Sequence, residues 1–411
     1  MTMFRAPKGT IDVLPPDSRR WREAHRIFDE LAERFGYGLV LTPMFEDTEV
    51  FARGVGGDTE VVEKQMYTFT DKGGRSVTLR PEATASVVRA AIQAGGVQGR
   101  LKASYWGPMF RYERPQKGRL RQFYQGGVEY LGSAAPEADI EVIEFGYRYL
   151  EQMNVPDVEV RLNSIGDPDD RARYREEIRA FLHEHYEELS EDAKRRVDSN
   201  PMRVLDSKVD AEIVAGAPKP DEFLGGEASE HFAAVREGLE SLEIPYTLDP
   251  SLVRGLDYYN RTVWEYVPTR YDAAQSSVGG GGRYDGLFEL LGGKPTPAVG
   301  LAMGVDRILL ASTGMADRPL LDAFVVLVDE SRREDARRLV SQLRNASLRV
   351  DMTDVRRSVK AQFKEADRRS ASVALVIGDE WAVGRVSAKD LASGEQSEIE
   401  TKEIIAWLQA R

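Results

Sequence analysis

Cysteine is missing from all 411 residues. That excludes a disulfide framework, a thiolate nucleophile and a cysteine-bound metal, and it fits a reducing, cytoplasmic setting. Histidine is nearly missing too, with only His25, His183, His185 and His231. His183 and His185 lie two apart in a helical pattern, so they point to different sides and share no metal site. No apolar run approaches the roughly 18 residues of a membrane span, and residues 1–10 lack the charged-then-apolar build of a signal peptide. Neither a Walker lysine loop nor a GxGxxG turn is present, so a bound polyphosphate would have to be held by side chains. Internal repeats and low-complexity tracts are absent as well.

Positive charge is in deficit: 56 Lys+Arg stand against 68 Asp+Glu, a net charge of −12. This argues against a protein that coats nucleic acid, while leaving room for a local basic footprint. The deficit is uneven. From Leu321 onward 16 basic residues balance 16 acidic ones, so the first 320 residues carry all of it. The chain is too long for one small core, and the split predicts a domain boundary near residue 320.

Before that boundary, Trp21 to Phe35 has Ile27, Phe28, Leu31 and Phe35 at helical spacing, with Gly36 as a stop. Leu39 to Phe45 reads as a strand in which Pro43 suits a sheet edge or a strand end. Arg171 to Leu189 is helical and highly charged, and Ala215 to Gly226 is loop-like, together resembling an insertion between two sheet-forming blocks. After Thr313 to Pro319 the style changes. A strand at Phe324–Val328, a basic helix at Arg332–Asn345, a strand at Leu348–Met352, a helix at Val359–Arg369 and a strand at Val373–Ile377 predict a small α/β domain with a buried sheet.

Reactive residue types gather in five segments. LVRGLDYYNRTVWE (Leu252 to Glu265) joins Arg254, Gly255, Tyr258 and Tyr259 to a strand-like run; arginine's donor fork suits carboxylate and phosphate oxygens. Taken alone it could equally be a loop entering a strand. Tyr105 to Leu131 reads as two strands around a basic loop, Glu113 to Arg121. Period-two geometry puts Gln125 and Glu129 on one face, with Gly127 between them leaving room for something flat. On the first strand Arg111 falls on the face of Met109 and Gly107. Arg80-Pro81-Glu82-Ala83-Thr84 follows a strand, and Glu82 and Thr84 could accept bonds from a primary ammonium or simply start a helix. SVGGGGRYDG (Ser277 to Gly286) reads as a linker by composition, although glycines also let backbone approach a ligand. AVGLAMGVDRI (Ala298 to Ile308) is an apolar strand leading into a helix, with Arg307 in an early turn that suits an anion. Arginines at 111, 119, 254 and 307, with carboxylates at 82 and 129, describe an enzyme that activates a small amine-bearing acid with a nucleotide.

The hairpin FRYERPQKGRLRQFYQ, the arginine of AVGLAMGVDRI and the Pro43-bearing strand after a long helix resemble motifs 2, 3 and 1 of class II aminoacyl-tRNA synthetases. RGLDYYNRTVWE and GGGRYDGL are similar to two signature segments peculiar to the histidyl-tRNA synthetase family, and the similarity extends from Lys8-Gly9-Thr10 through NPMRVLDSK to the C-terminal domain. The resemblance implies an α+β fold. A catalytic domain (1–319) would be built on a mostly antiparallel sheet of six or more strands, with motif 1 about 21–45, motif 2 about 104–131 and motif 3 about 298–310. A helical insertion (about 168–250) and an α/β anticodon-binding domain (320–411) would complete the chain.

The same resemblance implies ATP-dependent activation of L-histidine to its adenylate, then transfer to the 3' end of tRNA(His), by a homodimer. Glu82, Thr84 and Gln125 would hold the α-ammonium. Glu129 and Tyr259, beside Tyr258, would meet the two imidazole nitrogens, one a donor and one an acceptor. Arg111, Arg119 and Arg307 would bind ATP, Arg254 would serve catalysis, and Mg²⁺ would arrive on the ATP phosphates without a protein metal site. Ala83 stands where the family usually has glycine. Two other functions fit related sequences: a histidine-binding regulatory subunit of histidine biosynthesis, and a synthetase-like RNA-binding module. Both would dispense with the arginine set present here.

Overall fold

Apolar side chains three and four apart make Ser18–Arg34 a helix and bury Ala24, Ile27, Phe28, Leu31 and Ala32 along one stripe. Gly36, at φ +76°, lets the chain turn out of it. The structure, a computed structural model, describes residues 4–55, 64–205, 207, 209–252, 258–269, 277–313, 319–354 and 356–411. It divides into two units, Met1–Met315 and Ala316–Arg411. In chain order the strands of the first unit are β1 (Gly38–Leu39), β2 (Phe45–Asp47), β3 (Tyr67–Thr70), β4 (Ser76–Leu79), β5 (Leu101–Phe110), β6 (Gln122–Leu131), β7 (Val158–Ser164), β8 (Tyr246–Leu248), β9 (Asn260–Pro268), β10 (Gly279–Arg283) and β11 (Ala298–Gly304).

Eight of these form one sheet in the order β1-β5-β6-β11-β10-β9-β7-β8, while β2, β4 and β3 form a small second sheet. The large sheet is antiparallel except at its ends, where β1 runs parallel to β5 and β8 to β7. Side-chain alternation divides its faces. Val128, Tyr130, Trp264, Tyr266, Val299, Leu301 and Met303 join the core built with the Ser18–Arg34 and Pro136–Gln152 helices. Tyr105, Tyr258, Tyr259 and Tyr284 belong to a second cluster, with the Thr84–Gln93 helix. The face that carries the aromatic cluster is the one that bears the polar residues Gln125 and Glu129.

Two expectations change here. The strand expected over Leu39–Phe45 is broken: β1 ends at Leu39, β2 starts at Phe45, and they lie in different sheets. Pro43 has no N–H for a ladder, and the neighbouring backbone is used elsewhere, with Val40 N donating to Ser104 O at 2.8 Å and Met44 O accepting from Arg80 N at 2.9 Å. The glycine run, a linker by composition, is the central strand β10, paired on both sides. A Cβ at Gly281 would overlap the carbonyl of Gly300, so neighbouring backbone forbids side chains there.

Between β7 and β8 the Pro168–Glu184 helix begins with a capping box, Asp167 and Asp170. It packs Tyr174, Ile178 and Leu182 against Leu189, Ala193, Val197 and Val204 in a small core of its own. The second unit carries β12 (Leu321–Leu327), β13 (Val350–Met352), β14 (Ala371–Ile377), β15 (Arg385–Asp390) and β16 (Gln396–Glu400), in the order β13-β12-β14-β15-β16. The first three are parallel and the last two antiparallel. Among the described residues no helix is long and apolar enough to cross a membrane.

Gln362 closes the end of β12. Its Oε1 accepts from Leu327 N and its Nε2 donates to Leu327 O, both at 2.8 Å, in a site 2 % exposed. Gln362→Leu leaves both groups buried and unpaired, at about 1–3 kcal/mol each. Hydrogen exchange should then quicken at β12 amides while β6 and β11 amides keep their protection. Unchanged β12 protection would refute the clamp.

Candidate functional site

Glu82 starts the Thr84–Gln93 helix. Its two carboxylate oxygens accept from Thr84 N at 2.6 Å and Ala85 N at 3.0 Å. The helix-start reading is therefore realised, and the same residue still lines the cavity described below. Burial pushes the Glu82 pKa up, with the two backbone donors opposing. Ala83 sits between them at φ −111°, a conformation that needs no glycine.

Glu129, on β6, is wholly buried. Its Oε1 accepts from Thr84 Oγ1 at 2.7 Å, and its Oε2 accepts from the Tyr284 hydroxyl. Burial pushes its pKa up to about 8, against the pull of those hydroxyls. Gly300, opposite on β11, makes room for it, because a Cβ there would overlap Oε2. The space expected over Gly127 is filled: a Cβ at that position would overlap the Tyr105 phenol. Cross-strand pairing of Tyr105 with Gly127 seats the ring there, so the flat group is the protein's own. Gln125 is 8 % exposed, and its Oε1 has no partner among the described residues. A buried acceptor of this kind calls for a donor from outside.

Tyr258 and Tyr259 follow, with ring centroids 4.6 Å apart, and Tyr258 lies 5.5 Å from the Tyr284 ring. Tyr284 was not singled out from the sequence. Its partner Glu129 is 155 residues away, and the only local signal was its place two residues after the glycine run.

Arginines complete the lining. Arg111 lies one residue beyond β5, where Nε donates to Pro81 O at 2.9 Å and the guanidinium is 5.3 Å from the Phe123 ring. Met109, expected on its face, is core, and Gly107 lies beneath Arg80, whose guanidinium a Cβ would overlap. Burial pushes the Arg111 pKa down despite Glu113 and Glu82 nearby, a setting that an anion would relieve. Arg119 pairs with Glu113 at 2.5 Å. Arg307 donates to Gly118 O at 2.9 Å and Ser277 O at 3.0 Å, tying the hairpin loop to the start of β10. Arg254 lies outside the described residues.

These side chains meet around one cavity of about 550 Å³, lined by Glu82, Thr84, Arg111, Arg119, Gln125, Tyr258, Tyr259 and Arg307, with Glu113, Tyr284 and Gly300. Buried carboxyl, amide and phenol groups suit a small molecule rich in hydrogen-bond donors, and the guanidinium groups suit its negatively charged partner. Among the described residues no group of three or more His, Asp or Glu could hold a metal ion.

The chain also matches known proteins in sequence and in fold. The family described as Histidyl-tRNA synthetase matches residues 9–308, and Anticodon binding domain matches residues 322–411. The chain is 43 % identical over 415 residues to a histidine–tRNA ligase of Halothermothrix orenii, covering 98 % of this chain and 99 % of that one. It is 43 % identical over 419 residues to a histidine–tRNA ligase of Geobacillus kaustophilus, covering 99 % and 98 %. The crystal structure of the S. aureus histidyl-tRNA synthetase without ligand superposes with a TM-score of 0.79 at 35 % identity, covering 99 % of this chain and 100 % of that one.

Proposed function

The chain belongs to the histidyl-tRNA synthetase family, and we propose on that premise which of its side chains do the work. It is an enzyme, a histidine–tRNA ligase that couples L-histidine to tRNA at the expense of ATP. The observation that carries the assignment of its site is the buried Glu129, hydrogen-bonded to Thr84 and Tyr284 in the wall of the cavity that Arg111, Arg119 and Arg307 also line.

Gln125, with its buried acceptor, takes a donor from the α-ammonium of histidine, and Glu82 and Thr84 supply further oxygens beside it. Glu129 and Tyr259 take one imidazole nitrogen each, with Tyr258 packed behind. Arg111, Arg119 and Arg307 bind the ATP phosphates, which bring Mg²⁺ with them. The histidine carboxylate attacks the α-phosphorus in line, forming the histidyl-adenylate and releasing pyrophosphate. The acyl group then passes to the terminal ribose hydroxyl of tRNA(His). No side-chain nucleophile is needed, and charge that builds on the α-phosphoryl oxygens is met by Arg254 and Arg111.

Residues 1–319 form the catalytic part and 320–411 the anticodon-binding domain. The protein works in the cytoplasm as a homodimer. Leu39 (60 %), Leu41 (80 %) and Phe45 (54 %) are exposed around motif 1, an apolar group suited to burial against a second copy.

Histidine-dependent ATP–pyrophosphate exchange followed by tRNA charging tests this reading. Exchange driven by a different amino acid would overturn the substrate, and histidine binding without exchange would favour a regulatory subunit. Arg254→Lys should lower exchange about 100-fold, because a point charge does not span carboxylate and phosphate as a fork does. A near wild-type rate in that variant would remove Arg254 from the mechanism.

A further inference from the structure

Two tyrosines of the pocket, Tyr259 and Tyr284, are yoked by the residues that follow them. Asn260 follows Tyr259 and Asp285 follows Tyr284 in sequence. The Asn260 side chain donates from Nδ2 to Asp285 Oδ2 at 3.0 Å, and the Asp285 backbone N–H donates to Asn260 Oδ1 at 2.8 Å. The other Asp285 oxygen accepts from Ala298 N at 2.9 Å and from Arg283 at 3.1 Å. The clasp therefore joins the start of β9, the end of β10 and the start of β11.

It sits on an irregularity. Asn260 pairs with Arg283 but Val263 pairs with Gly282, so Arg261 and Thr262 bulge from the β9–β10 ladder. Arg261 has φ +49°, a strained value for a residue with a side chain. The bulge is held from the insertion side. Arg261 binds Asp167 through two hydrogen bonds of 2.7 and 2.8 Å, and its N–H donates to Gly166 O at 2.8 Å. One turn into the same helix, Arg171 donates to the Tyr259 carbonyl at 3.0 Å. The Tyr259 ring in turn lies against Gly282, where a Cβ would come within 2.6 Å of it. A bulge held by the side chains of Arg261, Asp167 and Arg171, placed directly beside the pocket, re-aims the residue before it.

We infer that Asn260 and Asp285 are positioning residues for histidine recognition, setting Tyr259 against the Tyr284–Glu129 pair so that both imidazole nitrogens are met at once. The inference rests on the reading of this cavity as the histidine site. Neither residue touches substrate in it. The Arg261–Asp167 latch extends the same frame to the first turn of the insertion helix.

A displacement of about 1 Å at such a site costs on the order of 100-fold when both partners must be engaged, and less when one remains. Asn260→Ser, which removes the amide but keeps a small polar side chain, should raise the KM for histidine about tenfold or more in pyrophosphate exchange. The KM for ATP should stay within about twofold, since Arg111, Arg119 and Arg307 are tied to Pro81, Glu113, Gly118 and Ser277 and not to the clasp. The exchanged pair N260D/D285N keeps a donor facing an acceptor and should return the histidine KM to within about threefold of wild type. An unchanged histidine KM in N260S, or equal rises for both substrates, overturns the proposal. If N260S does not melt cooperatively, the exchanged pair decides: a folded N260D/D285N with a histidine KM more than about tenfold raised also overturns it. Wild-type protein lacking histidine-dependent exchange would instead refute the assignment of the pocket itself.

Discussion

Glu129→Gln should lower kcat/KM for histidine in pyrophosphate exchange by about 10²–10³-fold and, in the same molecule, raise stability at alkaline pH. The first effect follows from removing one member of a buried, hydrogen-bonded pair, which costs about 2–5 kcal/mol. The amide keeps the shape but can neither carry charge nor share a proton with an imidazole ring. The second follows from linkage. Burial raises the folded-state pKa of Glu129 from 4.5 to about 8. Between those values the unfolded chain gives up a proton that the folded chain retains, so folding loses up to about 1.4 kcal/mol per pH unit as pH rises. The loss is complete above the folded value. Glutamine has no such slope. Melting temperatures from pH 5 to 9 should therefore diverge, with the variant the more stable at the upper end. Parallel curves would mean that Glu129 is ionised in the folded chain throughout.

Asp139→Ala should cost about 3–5 kcal/mol, because it removes the fully buried carboxylate partner of Arg283 and leaves that buried guanidinium with the part-exposed Asp285 as its remaining counter-charge. Arg283 and Asp139 are both fully buried. The carboxylate accepts from Arg283 and lies 3.3 Å from His231 Nε2, while Arg283 also donates to the carbonyls of Ser133 at 2.9 Å and Ala135 at 3.2 Å. Burial would push the Asp139 pKa up, but the charge of Arg283 and the bond from His231 hold it below its ordinary value of 3.8. The sign is opposite to that of Glu129: this stabilisation is present above 3.8 and fades as pH falls below it. Urea unfolding at pH 7 gives the cost directly, and a loss under about 1 kcal/mol would show that Asp285 and the two carbonyls suffice for Arg283. The pKa values of two buried carboxyls of one unit thus move in opposite directions, Glu129 upward through burial and Asp139 downward through Arg283 and His231.

Much of this was legible before the structure. The first helix and the strand–helix alternation after residue 320 come from periodicity, which records burial locally. Failures occur where burial is decided by distant segments. Nothing near Gly127 announces that Tyr105 will occupy the space above it. Nothing in four glycines separates a linker from a strand whose neighbours approach too closely for side chains. Strands β15 and β16 escaped notice because their alternation is weak: Gln396–Glu400 buries only Ile399 and exposes the rest, as an edge strand can. At the site, Glu82, Thr84, Gln125, Arg111, Arg119, Arg307, Tyr258 and Tyr259, all named from the sequence, line one cavity, and Glu129 lies behind its wall, bonded to Thr84. Tyr284, which completes the Glu129 hydrogen bonds, and Asn260, which aligns the tyrosines, act through tertiary partners and carry little local signal.

The glycine strand also has a consequence for how this chain can vary over time. Because Gly281, Gly282 and Gly300 are confined by backbone, by Tyr259 and by Glu129 respectively, no side chain can be tried there without first displacing the sheet backbone or one of those two side chains. The stretch whose composition suggests the greatest freedom is thereby among the least free to drift, and a library that treats residues 279–282 as a tolerant spacer would be emptied by selection there first.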